Sequence, residues 1–220
     1  MSEERIQEPA DRDVTGAEAC KPYPPAPWHM HGSLWLSVFR VARDVDESHP
    51  AGSYGVALVS YEEPSPLTYH ELLLARTTKN RAGKGAVTIT DIWVDSAASQ
   101  AGGRELWAIP KQLCDFDMES SFRGPLTTTD WTATVERRPI AEAHFTDVSR
   151  AALRLPFTGL VEQPGIAEHP EVADVVMKGN AKALPCRARW SFASEGPLGF
   201  LNDARQLGSF RMAGFRLAFD

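Results

Sequence analysis

Short runs of apolar, β-branched and aromatic residues recur about every ten residues along this chain, closed by proline, glycine or acidic turns. Residues 34–41, 54–61, 67–76, 86–94, 113–120, 127–135, 140–145, 152–157, 187–192 and 210–219 all read as strands. Glu62-Glu63-Pro64-Ser65-Pro66 separates the second run from the third, and residues 79–85 read as a polar hairpin turn before the fourth. Residues 171–177 stay open between a helix start and a strand, the latter favoured by Val175-Val176 and the following Gly179-Asn180. Ser96 is a candidate N-cap for one short helix over 97–101, which Gly102-Gly103 would end. Many short strands with few helical patterns point to a barrel or sandwich, and 220 residues suffice to bury a substantial core. The expected class is therefore α+β, predominantly β, with few short helices.

Residues 1–21 are polar and acidic and read as a flexible N-terminal tail; the proline-rich stretch from Pro22 to Pro27 leads into one domain over 22–220. The net charge of −6 disfavours a nucleic-acid partner. No apolar run approaches the roughly 18 residues of a membrane span, and no signal-peptide core is present in the tail. Cys20, Cys114 and Cys186 have no CxxC spacing and cannot all pair within one chain, so they read as reduced thiols of a cytoplasmic protein.

The chain holds six lysines against seventeen arginines, and Lys111 has the most apolar approach: Leu106-Trp107-Ala108-Ile109-Pro110 precede it. A lysine of ordinary pKa is neutral only about 0.04% of the time at pH 7, and a nucleophilic amine needs that pKa lowered by roughly 3–4 units. Burial in an apolar pocket supplies such a shift; an exposed site does not. Two readings stand at this point. Lys111 is a desolvated nucleophile, or it snorkels with its stem on Trp107 or Ile109 and its head in water.

Gly103-Arg104-Glu105-Leu106, three further residues and then Pro110-Lys111 resemble the signature of the acetoacetate decarboxylases, and Asp95 stands nine residues before Arg104 as in that family. Tyr69-His70-Glu71 is similar to the family's Tyr-Thr-Glu segment, and Glu195-Gly196-Pro197-Leu198 to a block near its C-terminus. The resemblance implies a cone-shaped β-barrel with an interior pocket, assembled as a homo-oligomer. It also implies a lyase that forms a Schiff base between Lys111 and a small keto acid, with Glu71 as acid/base and no cofactor, the lysine being the electron sink. The iminium can drain electrons from a bond to CO₂, or from a C–H bond in aldol and dehydration chemistry. Three positions depart from the family pattern. Gln112 replaces a second lysine; on extended backbone it faces away from Lys111, so desolvation is expected to activate the amine. A further family glutamate falls on or near Val56, and an expected arginine near the first strand is replaced by His29, His31, Gly32 and Ser33. The alternative is a non-catalytic ligand-binding or scaffold protein of the same fold.

Around the lysine, Arg104 and Glu105 are expected to pair internally and support its loop more than to touch substrate, with Trp107 beside them. His29 and His31 share a strand face and are expected to hydrogen-bond substrate or to pack near Trp28 and Trp35; no metal is expected, since no third ligand stands nearby in sequence. Residues 82–86 lack the glycine and GK[ST] spacing of a phosphate loop. Cys114 has no identifiable base and reads as a small packing residue.

Overall fold

The computed structural model describes residues 21–219; the expected tail lies outside them except for Lys21. Four strands open the fold: β1 (Trp28–Val41), β2 (Gly52–Glu62), β3 (Tyr69–Lys79) and β4 (Gly85–Val94). The helix α1 (Ala97–Trp107) and the short β5 (Gln112–Leu113) follow. Next come β6 (Asp115–Arg123), β7 (Leu126–Val135), β8 (Arg138–Asp147) and β9 (Arg154–Gln163). The chain ends with β10 (Ala173–Pro185), β11 (Arg187–Phe192) and β12 (Arg205–Phe219).

Seven strands close into a barrel in the order β3-β2-β1-β12-β10-β9-β4, with β4 returning to β3. Neighbours are antiparallel except at the β4–β9 seam, where a single parallel pair, Val87 with Val161, joins the strands. The Gln163 side chain bridges that seam: Ile89 N donates to its carbonyl at 2.6 Å, and its amide donates to Ile89 O at 3.1 Å. A second sheet, β11-β8-β7-β6, packs on the outer face of β1–β3. There Trp35, Val56, Leu58, Leu72 and Leu74 meet Trp131 and Phe145, with Trp35 and Trp131 edge to face at 5.4 Å.

Strands β1–β3 are thus covered on both faces, one by this inter-sheet core and the other by the barrel interior. Such strands read as continuous apolar runs, which is what Val56-Ala57-Leu58-Val59 is. The undecided stretch 171–177 enters strand β10 at Ala173. The helix corrects the short one expected over 97–101. Ser96 does cap it, accepting from Ser99 N, but it runs through both glycines to Trp107. Tertiary packing accounts for this. A Cβ on Gly102 would stand 2.7 Å from the Trp28 ring and 2.9 Å from the Tyr23 ring. One on Gly103 would stand 2.7 Å from Lys111 Cδ. The glycines let the helix approach its neighbours closely; they do not stop it. Gly102→Ala is expected to lower unfolding free energy by about 1–3 kcal/mol through overpacking against rigid rings, although alanine is favoured by about 1 kcal/mol inside a helix. A lower urea midpoint with unchanged slope would show it; a higher midpoint would refute the packing account.

Candidate active site

The segment after α1 delivers Lys111 into the barrel wall. Ala108 turns the chain with a left-handed φ of 54°, and the N–H of Ile109 returns to Gly103 O at 3.1 Å. Lys111 N then donates to Ile109 O at 2.8 Å, closing a three-residue turn on Pro110, whose ring fixes the backbone angle such a turn needs. Arg104 holds the turn from outside. Its Nη1 donates to Lys111 O at 3.1 Å while Nε and Nη2 grip Glu168 at 2.9 and 3.1 Å. Glu105 accepts from Tyr23 Oη at 2.5 Å and from Lys21 Nζ at 3.0 Å. Neither Arg104 nor Glu105 lines the cavity beside Lys111; both pair internally.

Lys111 is 4% exposed and Glu71 3%, and Lys111 Nζ lies 3.0 Å from Glu71 Oε2. The same ammonium donates to Ser99 Oγ at 2.9 Å and Tyr69 Oη at 3.3 Å, so all three of its donors have acceptors. Tyr61 Oη donates to the other carboxylate oxygen, Oε1, at 3.2 Å. Burial pulls the Lys111 pKa down, but the Glu71 charge, Tyr69 and the hydrogen bonds outweigh it and hold the pKa above the ordinary lysine value. This corrects the expectation that desolvation activates the amine: the resting group is a paired ammonium. Burial, reinforced by the Glu71 charge, pushes the Tyr61 phenol well above its usual pKa. Burial also raises Tyr69, against the opposing pull of Lys111.

The dyad opens into a cavity of about 420 Å³ inside the barrel. Trp107 and Trp28, edge to face at 4.8 Å, form part of its wall. Among the described residues, Lys111 and Glu71 are its only charged lining residues. The family glutamate position has no counterpart there, because Val56 points into the inter-sheet core while Gly55 and Ala57 face the cavity. His29 is exposed and His31 half-buried, and neither lines the cavity; the expected substrate contact from them is not made by this geometry, since their strand face is opposite to that of Trp28. Gln112 is exposed, on the far side of the chain from Lys111. Cys114 packs in the inter-sheet core, where burial pushes its thiol up to about 12. Among the described residues, no three His, Cys, Asp or Glu side chains cluster closely enough to hold a metal ion.

Three site members went unassigned from sequence. Tyr69 had a usable signal: two residues from Glu71 on a strand, it shares the inward face. Tyr61 sits opposite Tyr69 in the β2–β3 register, which requires the pairing to be known. Ser99 comes close only through the packing of α1 against β4, β5 and β10.

The barrel with its flanking sheet is shared with several solved structures. An acetoacetate decarboxylase from Legionella pneumophila is 13% identical, covering 96% of this chain and 89% of its own, with a TM-score of 0.60. An acetoacetate decarboxylase-like enzyme from Sphingomonas wittichii RW1 is 12% identical over 90% of this chain and 92% of its own, TM-score 0.60. The enduracididine biosynthesis enzyme MppR, complexed with the condensation product of pyruvate and imidazole 4-carboxaldehyde, is 16% identical over 91% and 90%, TM-score 0.57. The fold is thus that of the acetoacetate decarboxylase-like barrels. A family model described as acetoacetate decarboxylase matches residues 45–168, more than half of the chain, and the chain belongs to that family. No curated protein matches it by sequence. None of its helices is long and apolar enough to cross a membrane, among the described residues.

Proposed function

We propose that this protein is a Schiff-base lyase in which Lys111 attacks the carbonyl of a keto acid and Glu71 moves the protons. The observation that carries this reading is the buried Lys111–Glu71 pair at 3.0 Å on the wall of an otherwise apolar cavity. Proton transfer between ammonium and carboxylate gives a neutral amine beside a neutral acid, a change that low polarity favours once a carbonyl displaces part of the hydrogen-bond shell. The amine adds to the carbonyl carbon, and Glu71 returns the proton to the carbinolamine oxygen. Water leaves, and the iminium pairs with the regenerated carboxylate. Ser99 and Tyr69 orient Nζ, and Tyr61 orients the carboxylate. The iminium then accepts electrons from a bond to CO₂ or from a C–H bond. The ligand in the MppR complex, a condensation product of pyruvate and an aldehyde, supports the second branch for this chain as well.

Arg104 and Glu105 act in this reading as supports of the Lys111 turn, and no cofactor is needed. We further propose a cytoplasmic homo-oligomer, with 22–220 as one domain. The exposed Leu153, Leu155, Leu207 and Phe210 are suited to a subunit contact.

Borohydride reduction in the presence of acetoacetate or pyruvate, followed by peptide mass spectrometry, tests the chemistry. The expected result is one adduct, on Lys111. A panel of keto acids and ketones that leaves no adduct would sink the lyase reading and favour the ligand-binding alternative, which the Val56 position and the lack of an arginine among the described lining residues support.

A further inference from the structure

The barrel interior is layered by strand register. Tyr61 and Tyr69 form the first layer, and Val59 pairs with Glu71 in the second. Leu36, Ala57 and Leu73 make the third, and Val38, Gly55 and Ala75 the fourth. Thr77, paired with Val87, follows; it lines the cavity and is exposed, so the cavity reaches the surface there. Every one of these residues lines the same cavity, which extends from the dyad along six residues of β3, or roughly 20 Å of strand. Small barrels usually fill their interior with side chains or hold one small ligand. Here β2 gives the third and fourth layers only Ala57 and Gly55, and β3 adds Ala75, so small side chains leave part of the bore open. Its volume, about 420 Å³, falls within the range that takes up drug-sized ligands, well beyond what a four-carbon keto acid needs. Beyond Glu71, the residues named in the third and fourth layers are all apolar, and a cavity with so few polar partners holds ordered water poorly.

We propose that the substrate is a carbonyl compound with an unbranched apolar tail, its carbonyl at Lys111 and its tail along the bore past Ala57 and Ala75 toward Thr77. The proposal rests on the Schiff-base reading for the placement of the head, and on the bore for the tail. A tail there removes apolar surface from water in proportion to its length, so each added methylene strengthens binding about fourfold until the bore is filled. Charge points the same way. Lys111 is already neutralised by Glu71, so selection among carbonyl compounds falls to the apolar part of the ligand.

The test is borohydride trapping with acetone and with methyl propyl, methyl pentyl, methyl heptyl and methyl nonyl ketone, paired with calorimetric titration of the same ketones without reductant. The expected result is half-trapping concentrations that fall about fourfold per methylene and then level off. Ala57→Phe should abolish the gain per methylene seen in the parent; Ala75→Leu is the milder plug should the first variant not fold. Equal trapping of short and long ketones would overturn the tail assignment and leave the Schiff-base reading standing. Length-dependent binding without any adduct would overturn the lysine chemistry and keep the bore. Neither binding nor adduct would overturn both.

Discussion

Lys111→Met is expected to lose all trapped adduct and, at neutral pH, about 3–5 kcal/mol of folding stability, the cost of leaving the Glu71 carboxylate buried without its partner. The double variant Lys111→Met/Glu71→Leu should recover most of that loss, since a buried ion pair replaced by well-packed apolar groups is often neutral or stabilising. Urea unfolding of parent, single and double variants reads both numbers as a double-mutant cycle. A single variant as stable as the parent would mean that the pair is solvated and that the cavity does not enclose it. The pH dependence has a definite sign. The Lys111 pKa is raised on folding, so its contribution is fully present below the unfolded lysine value of about 10.4 and is lost as pH rises through the folded value. From neutral pH upward, the gap between parent and double variant should therefore stay constant to that region and shift against the parent above it.

The strand order could not be read from the chain, but most strands could, because turn residues interrupt the apolar runs at short intervals. What stayed hidden was which face of β1–β3 is inside. With both faces buried, alternation disappears, and Val56 cannot be told from Ala57 by hydropathy although one packs between sheets and the other lines the cavity. Gly102-Gly103 misled for a related reason. A local rule makes paired glycines a helix end, while the requirement here is for a helix surface flat enough to meet Trp28 and the Lys111 stem. Lys111 stood out as an anomaly among surface lysines, and Glu71 by family likeness. Their separation of 3.0 Å, and the sign it imposes on the lysine, depend on β3 and the segment after α1 meeting through β4. Neither element alone carries that information.

That sign leads to the second large effect. In Glu71→Gln the charge that holds the Lys111 proton is gone while the burial that opposes it remains, so the lysine pKa is expected to fall below its ordinary value. Two rates should then move in opposite directions. Reductive methylation of Lys111 by formaldehyde and cyanoborohydride at pH 7 should become faster, because more of the amine is neutral. Without reductant, turnover of a keto acid that forms the adduct should drop by about 10²–10⁴, the usual loss when a positioned acid/base is removed. A substitution that only loosened the site would slow both reactions, and one remote from the amine would change neither. A methylation profile that shifts to higher pH in the variant would show that another group holds the proton, and Glu71 would then lose its place as the acid/base. Tyr61 allows a further distinction: it donates to Glu71 Oε1 and is not among the hydrogen-bond partners of Lys111 Nζ, so Tyr61→Phe should reproduce the fall in turnover in weakened form with little change in the methylation profile.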